Sequence, residues 1–551
     1  MIRVGLLFVL VFLFAVPTST EAQEREPISW GQQMSPVDPI VLPPLDLEAI
    51  RLEDSINELD KSQPWRYGIV RPIVLDMDQQ GSWTDLPNGE RIWRAAIHSP
   101  DAIHLSLNFD RFFLPDGGYM QLYNDDLSDY SKVYSSQENR NAAKLGTWFV
   151  DGSTIWIEYY QTRQANGRAL LTIESVIHGY RMGRVNSLID NTRGFEDSGD
   201  CNYDVNCTIG GGFDSKKDKI KKAVALLNMG NGYLCSAALM NNTDADKTPY
   251  LLTANHCLQD SDPALWSVRF NWTSPIAVCG TEGESTNVES NFTLSGAQLR
   301  ANHSGSDFAL VELFNAVPDA WDVSFAGWDR TDALPEFQVG IHHPNGDIMK
   351  ICKDDDPAMK DIANDIDVWL IKGVSAGNGN GWDLGTTESG SSGSPLFDQN
   401  GRVIGQLYAG QSFCNGTENN GDFDLYGRIA SSWEGGGTAA TRLSDWLDPG
   451  ATGAPTIEVL ENALSTIDFE LAGSLDVYPN PASNYIFVMN TRYAQLSYQL
   501  FDVSGKMLVD GDVSSSENRI DLSACQAGIY FLRLVDEESG KDITKKLIID
   551  K

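Results

Sequence analysis

Cysteine is absent from the first 200 residues of this chain, and that distribution constrains the fold more than any other feature. Seven of the eight cysteines lie between Cys201 and Cys414, and the eighth is Cys525. The chain has no C-x-x-C pair and no H-E-x-x-H motif, so neither a zinc ribbon nor a zinc metalloprotease is indicated. The pattern favours disulfide bonds within one domain, and it predicts a domain boundary just upstream, near Arg193-Gly194.

The N-terminus predicts the oxidising compartment in which disulfide bonds persist. Arg3 precedes an apolar run at residues 4–16, which small and polar residues follow as far as Ala22. This is the pattern of a secretory signal peptide, and the run is shorter than the roughly 20 apolar residues of a membrane span. No later stretch qualifies as a span. We therefore expect a secreted protein, extracellular or attached to the cell surface, with no membrane span after signal removal.

A chain of 551 residues is too long for one ordinary domain, and its composition changes along its length. A Pro-rich leader is followed by a helical pattern, LEAIRLEDSINELDK, and then by strands that alternate as in HLSLNF and STIWIEYYQT. From about residue 194 the strands are short with Gly-rich turns, as in a barrel or sandwich, and TAATRLSDWLD predicts a closing helix. The expected segments are 1–22 (signal peptide), 23–193 (pro-region), 194–450 (main domain), 451–469 (linker) and 470–551 (a small β-domain).

Net charge excludes some partners. The chain carries a formal charge of −35, which would repel nucleic acid phosphates and anionic membrane surfaces. We therefore expect no nucleic acid partner.

The stretch TESGSSGSPLF, residues 387–397, predicts a serine with a special backbone environment. It continues into PLFDQNGRVIGQLYAG, which indicates two strands around a turn, so a linker is the weaker interpretation. A hydrolytic serine needs a base and N–H donors for the developing oxyanion. Glycines allow the amides of Gly390 and Ser392 to converge on one point.

A base and an orienting carboxylate can be chosen from the remaining motifs. His256 ends an apolar strand in YLLTANHC, and the adjacent Cys257 could fasten its loop to Cys235 on a facing strand. Asp307 begins the apolar strand SDFALVEL, where an unpaired buried charge would be costly. Each feature alone has a simpler interpretation: a loop serine, a structural histidine or a turn-forming aspartate. Together they follow the order His…Asp…Ser of one large class of serine proteases.

The segment from about residue 201 to 449 closely resembles the secreted bacterial lysyl endopeptidases. The resemblance rests on CNYDVNC, LLTANHC, SDFALVEL, FAGWDR, IHHPNG, TESGSSGSPLF, VIGQLYAG, DLYGR and SWEGGGTAATRLSDWLDP. It implies an all-β fold, a chymotrypsin-like double β-barrel with a C-terminal helix. His256 is then the general base, Asp307 its orienting carboxylate and Ser392 the nucleophile. The disulfide bonds that the family implies are Cys201–Cys414, Cys207–Cys279 and Cys235–Cys257, which leave Cys352 and Cys525 unpaired.

The same resemblance implies a pocket for a basic side chain. Trypsin-like enzymes often carry an Asp six positions before the nucleophile, but Thr386 stands there. In lysyl endopeptidases the pocket carboxylate belongs to a DxYGR segment, which makes Asp424 the partner of a Lys or Arg side chain. The family's Trp beside the cleft corresponds to Trp369, and Tyr408 replaces a His of the pocket wall.

The flanking segments have roles implied by resemblance as well. Residues 23–193 are expected to aid folding or to block the cleft until they are removed. The residue before the nucleophile is Ser391 rather than Asp, so activation by a new N-terminal amine is not expected. The C-terminal part, with YPNP and a GIY strand, resembles the type IX secretion sorting domains of Bacteroidetes. An immunoglobulin-like sandwich and the type IX machinery as a partner follow; an accessory carbohydrate-binding module is the alternative.

The sequence thus predicts a secreted serine endopeptidase that cleaves proteins or peptides after basic residues, Lys first. No metal and no organic cofactor is expected. Because Arg193 precedes the expected boundary and no lysine lies between Lys144 and Lys216, self-maturation there would require that Arg is also accepted. A trypsin-like protease of equal Arg and Lys preference, and a non-catalytic adhesin on a protease scaffold, remain the alternatives.

Overall fold

Secondary structure in this protein is mostly β, and the chain divides into two compact units, Met1–Glu461 and Asn462–Lys551. A computed structural model describes residues 26–58, 61–140, 143–182, 198–283, 285, 292–461, 475–478, 480, 482–490, 496–502, 506–513, 518–523, 525–536 and 542–550. The expected signal peptide and the expected boundary near Arg193-Gly194 lie outside these residues. None of the described helices is long and apolar enough to cross a membrane.

The N-terminal part of the first unit consists of a helix and two sheets. Helix α1 (Leu47–Asn57) forms where LEAIRLEDSIN predicts it, and its N-cap Asp46 accepts a hydrogen bond from Ala49 N at 3.1 Å. The strands are β1 (Ile40–Val41), β2 (Trp65–Arg66), β3 (Gly68–Asp76), β4 (Ser82–Asp85), β5 (Arg91–His98), β6 (His104–Phe113), β7 (Gly118–Asn124), β8 (Leu145–Gly146), β9 (Val150–Asp151), β10 (Thr154–Gln161) and β11 (Leu170–Gly179).

Two sheets of this region share one apolar core. One has the order β1-β5-β10-β7 with β4 on β5, and the other the order β3-β11-β6-β8 with β9 on β6. Alternate residues of the strands that HLSLNF and STIWIEYYQT predict, such as Leu105, Leu107, Ile155 and Ile157, are buried in that core. The apolar positions of the period-2 pattern therefore face the core, although the alternate residues His104, Ser106 and Asn108 are buried as well.

The second part of the first unit is also built from strands. They are β12 (Tyr203–Asp204), β13 (Val224–Asn228), β14 (Tyr233–Met240), β15 (Tyr250–Ala254), β16 (Ser267–Phe270), β17 (Thr293–Ser295), β18 (Ala297–His303), β19 (Phe308–Leu313), β20 (Ser324–Phe325), β21 (Trp328–Asp329), β22 (Gln338–His342), β23 (Lys350–Asp354), β24 (Met359–Ala363), β25 (Ile366–Ile371), β26 (Pro395–Asp398), β27 (Val403–Gly410), β28 (Cys414–Asn415), β29 (Glu418–Asn419), β30 (Asp424–Arg428), β31 (Thr456–Ile457) and β32 (Leu460–Glu461).

These strands form two large sheets. The first has the order β17-β16-β13-β14-β15-β19-β18, and the second the order β12-β23-β22-β26-β27-β30-β25-β24 with β21 and β31 at one side. A shared core joins them, in which Leu252 and Phe308 of the first sheet lie with Ile341 and Phe397 of the second. The predicted turn at residues 398–401 connects β26 to β27, with Gly401 at a φ of 78°. The segments that carry the candidate site residues His256, Asp307 and Ser392 adjoin strands of both sheets.

The helical structure after β30 differs from the expectation. Helix α2 (Asp214–Ile220) lies earlier in the chain, and α3 (Ile429–Glu434) follows β30 directly. The sequence predicted a helix over residues 438–448, but only the short helix α4 (Ser444–Leu447) forms there. Thr438 N donates to Thr441 Oγ1 at 3.1 Å, and Thr441 N donates to Thr438 O at 2.8 Å. The threonine side chain therefore closes a turn that competes with helix formation.

One strand of the N-terminal region extends the first sheet of the second part. Strand β2 pairs antiparallel with β14, so that Trp65 lies opposite Leu234. Tyr67 N and Gly68 N both donate to Gly232 O, at 2.9 and 3.1 Å. A separate apolar cluster covers this junction; it contains Trp65, Tyr67, Trp148, Phe149, Ile177, Met182, Leu226, Leu234, Trp272 and Ile348. The two parts thus form one continuous structure.

The second unit consists of two facing sheets. Its strands are β33 (Leu475–Tyr478), β34 (Tyr485–Asn490), β35 (Leu496–Asp502), β36 (Met507–Val513), β37 (Asn518–Asp521), β38 (Gly528–Asp536) and β39 (Asp542–Ile549). The orders are β33-β34-β37 and β36-β35-β38-β39. Ile486 and Val488 from one sheet share a core with Leu500 and Leu532 from the other, so the unit is a sandwich of β-sheets.

Candidate active site

His256 and Asp307 are held together by the ends of two neighbouring strands. Strand β15 ends at Ala254, and a 3₁₀ turn then carries His256, whose Nδ1 lies 2.8 Å from Asp307 Oδ2. Asp307 Oδ1 also accepts from His256 N at 3.0 Å. A carboxylate on Nδ1 fixes the tautomer with the proton there, which leaves Nε2 as an acceptor. Among the described residues, nothing is hydrogen-bonded to that Nε2.

The backbone of Asp307 explains why a short polar residue stands there. Its φ of 49° and ψ of 36° are left-handed, in a turn between residues 304–306 and strand β19. Asn255 N donates to Asp307 O at 2.8 Å, so backbone and side chain both join the His256 turn. Aspartate tolerates this conformation better than branched residues do. The chain thereby places a carboxylate with an exposed fraction of only 4% against the imidazole.

The loop with Ser392 is anchored to strand β14. Ser236 N donates to Ser392 O at 2.8 Å, and Ser236 Oγ donates to Gly390 O at 3.1 Å. Gly393 has a φ of 80°, and a Cβ there would lie 2.1 Å from Thr253 Oγ1 and 2.6 Å from Ser236 O. Because any side chain at this position would overlap strand residues, only glycine fits at position 393.

The amides of the same loop fall into two groups. Ser391 N, Gly393 N and Ser394 N donate to carbonyl oxygens of Glu388, Leu407 and Ser391, at 3.1, 2.8 and 2.9 Å. Within the described part of the chain, neither Gly390 N nor Ser392 N has such an acceptor. These are the two amides that the sequence assigned to an oxyanion.

A buried histidine supports the loop from behind. His342 Nδ1 lies 2.8 Å from Ser391 Oγ, and complete burial lowers the pKa of His342 well below its usual 6.5. Burial also lowers the pKa of His343 to about 4, and its Nδ1 lies 2.9 Å from Asp347 O. Both imidazoles are therefore neutral at neutral pH. The side chain of Ser391 therefore contacts a buried histidine of β22.

Asp424 lies at the base of a closed polar pocket. It is completely buried at the start of β30, where its Oδ2 accepts from Trp382 Nε1 at 2.7 Å, Thr387 Oγ1 at 2.8 Å and Ser412 Oγ at 2.6 Å. Its Oδ1 receives Lys61 Nζ at 2.9 Å. Three neutral donors thus hold one oxygen of the carboxylate, and the other oxygen faces a cation.

Gly410 gives the pocket its space. It lies opposite Asp424 in the β27–β30 pair, and a Cβ on it would stand 1.8 Å from Asp424 Oδ1. Its backbone conformation is compatible with any residue, so the requirement for glycine is one of volume. The absence of a side chain at Gly410 therefore leaves room for the Asp424 carboxylate.

The structure does not bring two of the predicted residues to the pocket base. Trp369 is buried in the core beneath the second sheet, where its Nε1 donates to Ile404 O at 3.0 Å. Tyr408 packs against Leu370 and lies beside the catalytic candidate, with its ring centroid 6.3 Å from that of His256. Neither contacts the ammonium that fills the pocket.

The three expected disulfide bonds are present: Cys201–Cys414, Cys207–Cys279 and Cys235–Cys257. Cys352 is a buried free cysteine, and Cys525 is buried as well. Sulfur and nitrogen atoms of Cys235, His256 and Cys257 lie within 4.8 Å of one another, a spacing that would suit a metal. Because both cysteines are joined in a disulfide bond, they offer no thiolate ligand.

Sequence reasoning missed Lys61, Thr387, Ser412, Trp382 and Gly410. Thr387 stands next to Thr386, the position examined for a trypsin-like carboxylate, and both are completely buried. Neighbouring residues of an extended segment point to opposite sides, so the count of six residues could not show which one faces the pocket. A lysine in a distant segment carries no local signal for pocket binding.

Comparisons with known proteins identify two segments. Residues 195–427 match the family described as lysyl endopeptidase, C-terminal domain. This part of the chain is thus similar to the C-terminal domain of lysyl endopeptidases. Residues 476–550 match the secretion system C-terminal sorting domain, which marks secreted or cell-surface proteins and implies the type IX secretion machinery as a partner.

A curated lysyl endopeptidase of Pseudomonas aeruginosa is 28% identical over 230 residues. The matched residues are 40% of this chain and 47% of that relative, so the chain spans about half the length of the relative.

Two solved structures were also compared. One is PorZ, a bacterial surface component of the type IX secretion system of Porphyromonas gingivalis, with 9% identity, a TM-score of 0.13, and coverage of 62% of this chain and 36% of that chain. The other is the BSP domain of a biofilm associated protein, with 8% identity, a TM-score of 0.15, and coverage of 88% and 81%. Scores this low say nothing about the fold of this chain.

Proposed function

We propose that this protein is a serine endopeptidase that hydrolyses peptide bonds after basic residues, with Lys preferred, on a chymotrypsin-like double β-barrel. The carrying observation is the pocket: a completely buried carboxylate, Asp424, with one oxygen available to a cation. The lysyl endopeptidase match over residues 195–427 supports the same reaction.

The proposed reaction uses the three residues in their ordinary roles. Ser392 Oγ attacks the scissile carbonyl while His256 Nε2 accepts its proton, and Asp307 stabilises the imidazolium through Nδ1. The tetrahedral oxyanion is received by the amides of Gly390 and Ser392, which have no acceptor within the described chain. His256 then protonates the leaving amine, and water hydrolyses the acyl-enzyme by the same route.

The shape of the pocket favours Lys over Arg. The oxygens around Lys61 Nζ belong to Thr387, Ser412 and Asp424 and lie 2.6–3.0 Å away, around a single nitrogen atom. A compact ammonium with three donors fits such an arrangement, whereas a planar guanidinium needs a wider, fork-shaped set of acceptors. Tyr408, which replaces a His of the family's pocket wall, has its ring centroid 6.3 Å from that of His256.

Substitution of the nucleophile tests the reaction. Ser392→Ala should lower kcat on lysyl peptides by a factor of about 10⁴–10⁶, because only binding and the oxyanion donors remain. Ser394→Ala is the matched control and should stay within about tenfold of the parent enzyme. A fluorophosphonate probe should label the parent and the control but not Ser392→Ala. Absence of labelling in the fully processed parent would favour the non-catalytic adhesin instead.

A further inference from the structure

The occupant of the lysine pocket belongs to this chain. Lys61 follows helix α1 in the N-terminal region, and its side chain is 8% exposed. Its Nζ lies 2.9 Å from Asp424 Oδ1, 2.6 Å from Thr387 Oγ1, 3.0 Å from Thr387 O, 2.9 Å from Ser412 O and 3.0 Å from Ser412 Oγ. The three protons of an ammonium are therefore fully satisfied, which a desolvated cation requires.

The chain after Lys61 continues along the catalytic loops. Gln63 and Pro64 line a cavity of about 530 Å³ together with Ser389 and Tyr233. Trp65 and Arg66 then pair antiparallel with Tyr233 and Leu234, the residues directly before Cys235. The segment thus runs from the lysine pocket, past the loop that carries Ser392, to the edge of β14. A peptide substrate would occupy the same positions.

Contacts on both sides of this segment hold it in place. Asp54 of α1 is 2% exposed and pairs with Arg66 at 2.6 Å and with Arg181, and it accepts from Tyr180 OH at 2.7 Å. Downstream, Tyr67 OH donates to Asn228 Oδ1 at 2.9 Å. Lys61 therefore lies in the chain between two residues with such contacts, Asp54 and Arg66, and this tether gives it a high effective concentration at the pocket.

We propose that Lys61 is a tethered P1 residue that keeps the precursor inactive towards other substrates, and that Lys61–Ser62 is the bond presented to Ser392. This inference rests on the proposed function. Hydrolysis would break the C–N bond between these residues and consume one water molecule. Lys61 would end in a carboxylate and Ser62 would begin with an amine.

The proposal also predicts the fate of the remainder. After the cut, residues from Ser62 onward still pair with β14 and share the apolar cluster around Trp65 and Tyr67. The N-terminal region therefore stays bound after the first cut. Of its other lysines, Lys132 is buried against Glu138, and Lys144 pairs with Asp262 at 2.7 Å; neither enters the pocket.

Pocket occupancy can be measured on the full precursor with Ser392→Ala, in which no bond is cut. The probe is a fluorescein-labelled peptide that ends in lysine, followed by anisotropy. Replacement Lys61→Ala or Lys61→Met should tighten binding on the order of 100-fold, because a tethered competitor is removed. Lys61→Met keeps most of the side-chain volume and serves if the alanine variant does not fold. Lys144→Ala is the matched control and should bind like the parent. Equal affinities for all four proteins would overturn the proposal.

The cut is followed in the precursor with an intact Ser392. Timed N-terminal sequencing should show a fragment that begins at Ser62, which Lys61→Ala abolishes and Lys144→Ala retains. Fully processed enzyme is assayed in parallel on lysyl peptides. If that enzyme is inactive, the proposed function has failed; if it is active and no fragment begins at Ser62, the assigned bond alone is wrong.

Discussion

At the scale of single residues, the two oxygens of the Asp424 carboxylate have different partners: one accepts from neutral donors, and the other contacts a cation. Oδ2 of Asp424 accepts from Trp382, Thr387 and Ser412, and these neutral donors compensate for much of its lost hydration. Oδ1 is left for the cation. A buried carboxylate with only neutral partners is costly, so the pocket gains from any basic side chain that enters it. In the proposed function, selectivity follows from the electrostatics of Asp424.

Neutralisation of Asp424 should remove the preference for basic residues. Asp424→Asn leaves a bound lysine ammonium without its counter-charge, a loss of about 3–5 kcal/mol for a buried pair. We expect kcat/KM on lysyl peptides to fall about 10²–10⁴-fold, with the weaker activity on arginyl peptides lost as well. Asp422→Asn, in the same loop, is the control. An unchanged ratio of basic to neutral substrates in Asp424→Asn would show that the pocket lies elsewhere.

Gly410→Ala should close the same pocket by volume alone. The added Cβ would stand 1.8 Å from Asp424 Oδ1, so the carboxylate that holds the Lys61 ammonium would have to move. We expect KM for lysyl peptides to rise steeply, whereas labelling of Ser392 by a small fluorophosphonate continues at nearly the parent rate. Gly450→Ala, where the nearest atom is 3.6 Å from the new Cβ, is the control. Loss of labelling along with peptide cleavage would mean that the substitution disrupts the whole site.

At the scale of elements, the sequence predicted which strand ends carry the site but not which side chains share a face. His256, Asp307 and Ser392 each border an apolar strand, and a polar residue at that position is a strong local signal. Trp369 and Tyr408 were assigned from the family resemblance. In a strand, the pleat determines the face of the sheet to which each side chain points. Trp369 lies opposite Tyr426 and points into the core, whereas its neighbour Leu370 packs with Tyr408. One residue of register moves a side chain to the other face.

The neutral histidines at the end of β22 predict acid sensitivity. His343 has its pKa lowered from 6.5 to about 4 by burial, so the unfolded chain binds the proton more readily. Its contribution to stability is complete above about pH 6.5 and is lost as pH falls towards 4, by about 3 kcal/mol. Asp354 acts in the opposite direction: burial raises its pKa to about 7, which disfavours the folded state as pH rises through 4–7.

The test is thermal unfolding of the Ser392→Ala precursor between pH 4 and 8. The unfolding temperature of the parent should decrease as the pH is lowered below 6.5. In His343→Asn this decrease should be smaller. Asparagine can still donate towards Asp347 O, which His343 Nδ1 contacts at 2.9 Å. The control is His303→Asn, the same substitution at a part-exposed histidine. A variant such as Asn302→Asp would change the net charge and is unsuitable as a control. An unaltered slope in His343→Asn would exclude this group as the source.

At the scale of the whole molecule, the chain divides into a unit that contains the candidate active site and a unit that matches a secretion sorting domain. The N-terminal region shares a sheet and a core with the residues around the candidate site, so it belongs to the same unit. The core of residues 475–549 contains only residues of the second unit. Folding and catalysis should therefore depend on the first unit, and export on the second.

A chain that ends at Glu461 tests this separation. Because the first unit has its own apolar clusters around the candidate site in the described part of the chain, the purified truncated protein should fold and mature. Its kcat/KM on lysyl peptides should lie within about threefold of that of the full chain, the range expected when no buried contact is lost.

The sorting domain match over residues 476–550 predicts that the truncated chain accumulates inside the cell. Cell, surface and medium fractions are compared by immunoblot, with the full-length Ser392→Ala variant as an exported but inactive control. Export of the truncated chain at the control level would contradict the assignment of the tail, and a purified truncated chain without activity would contradict the independence of the two units.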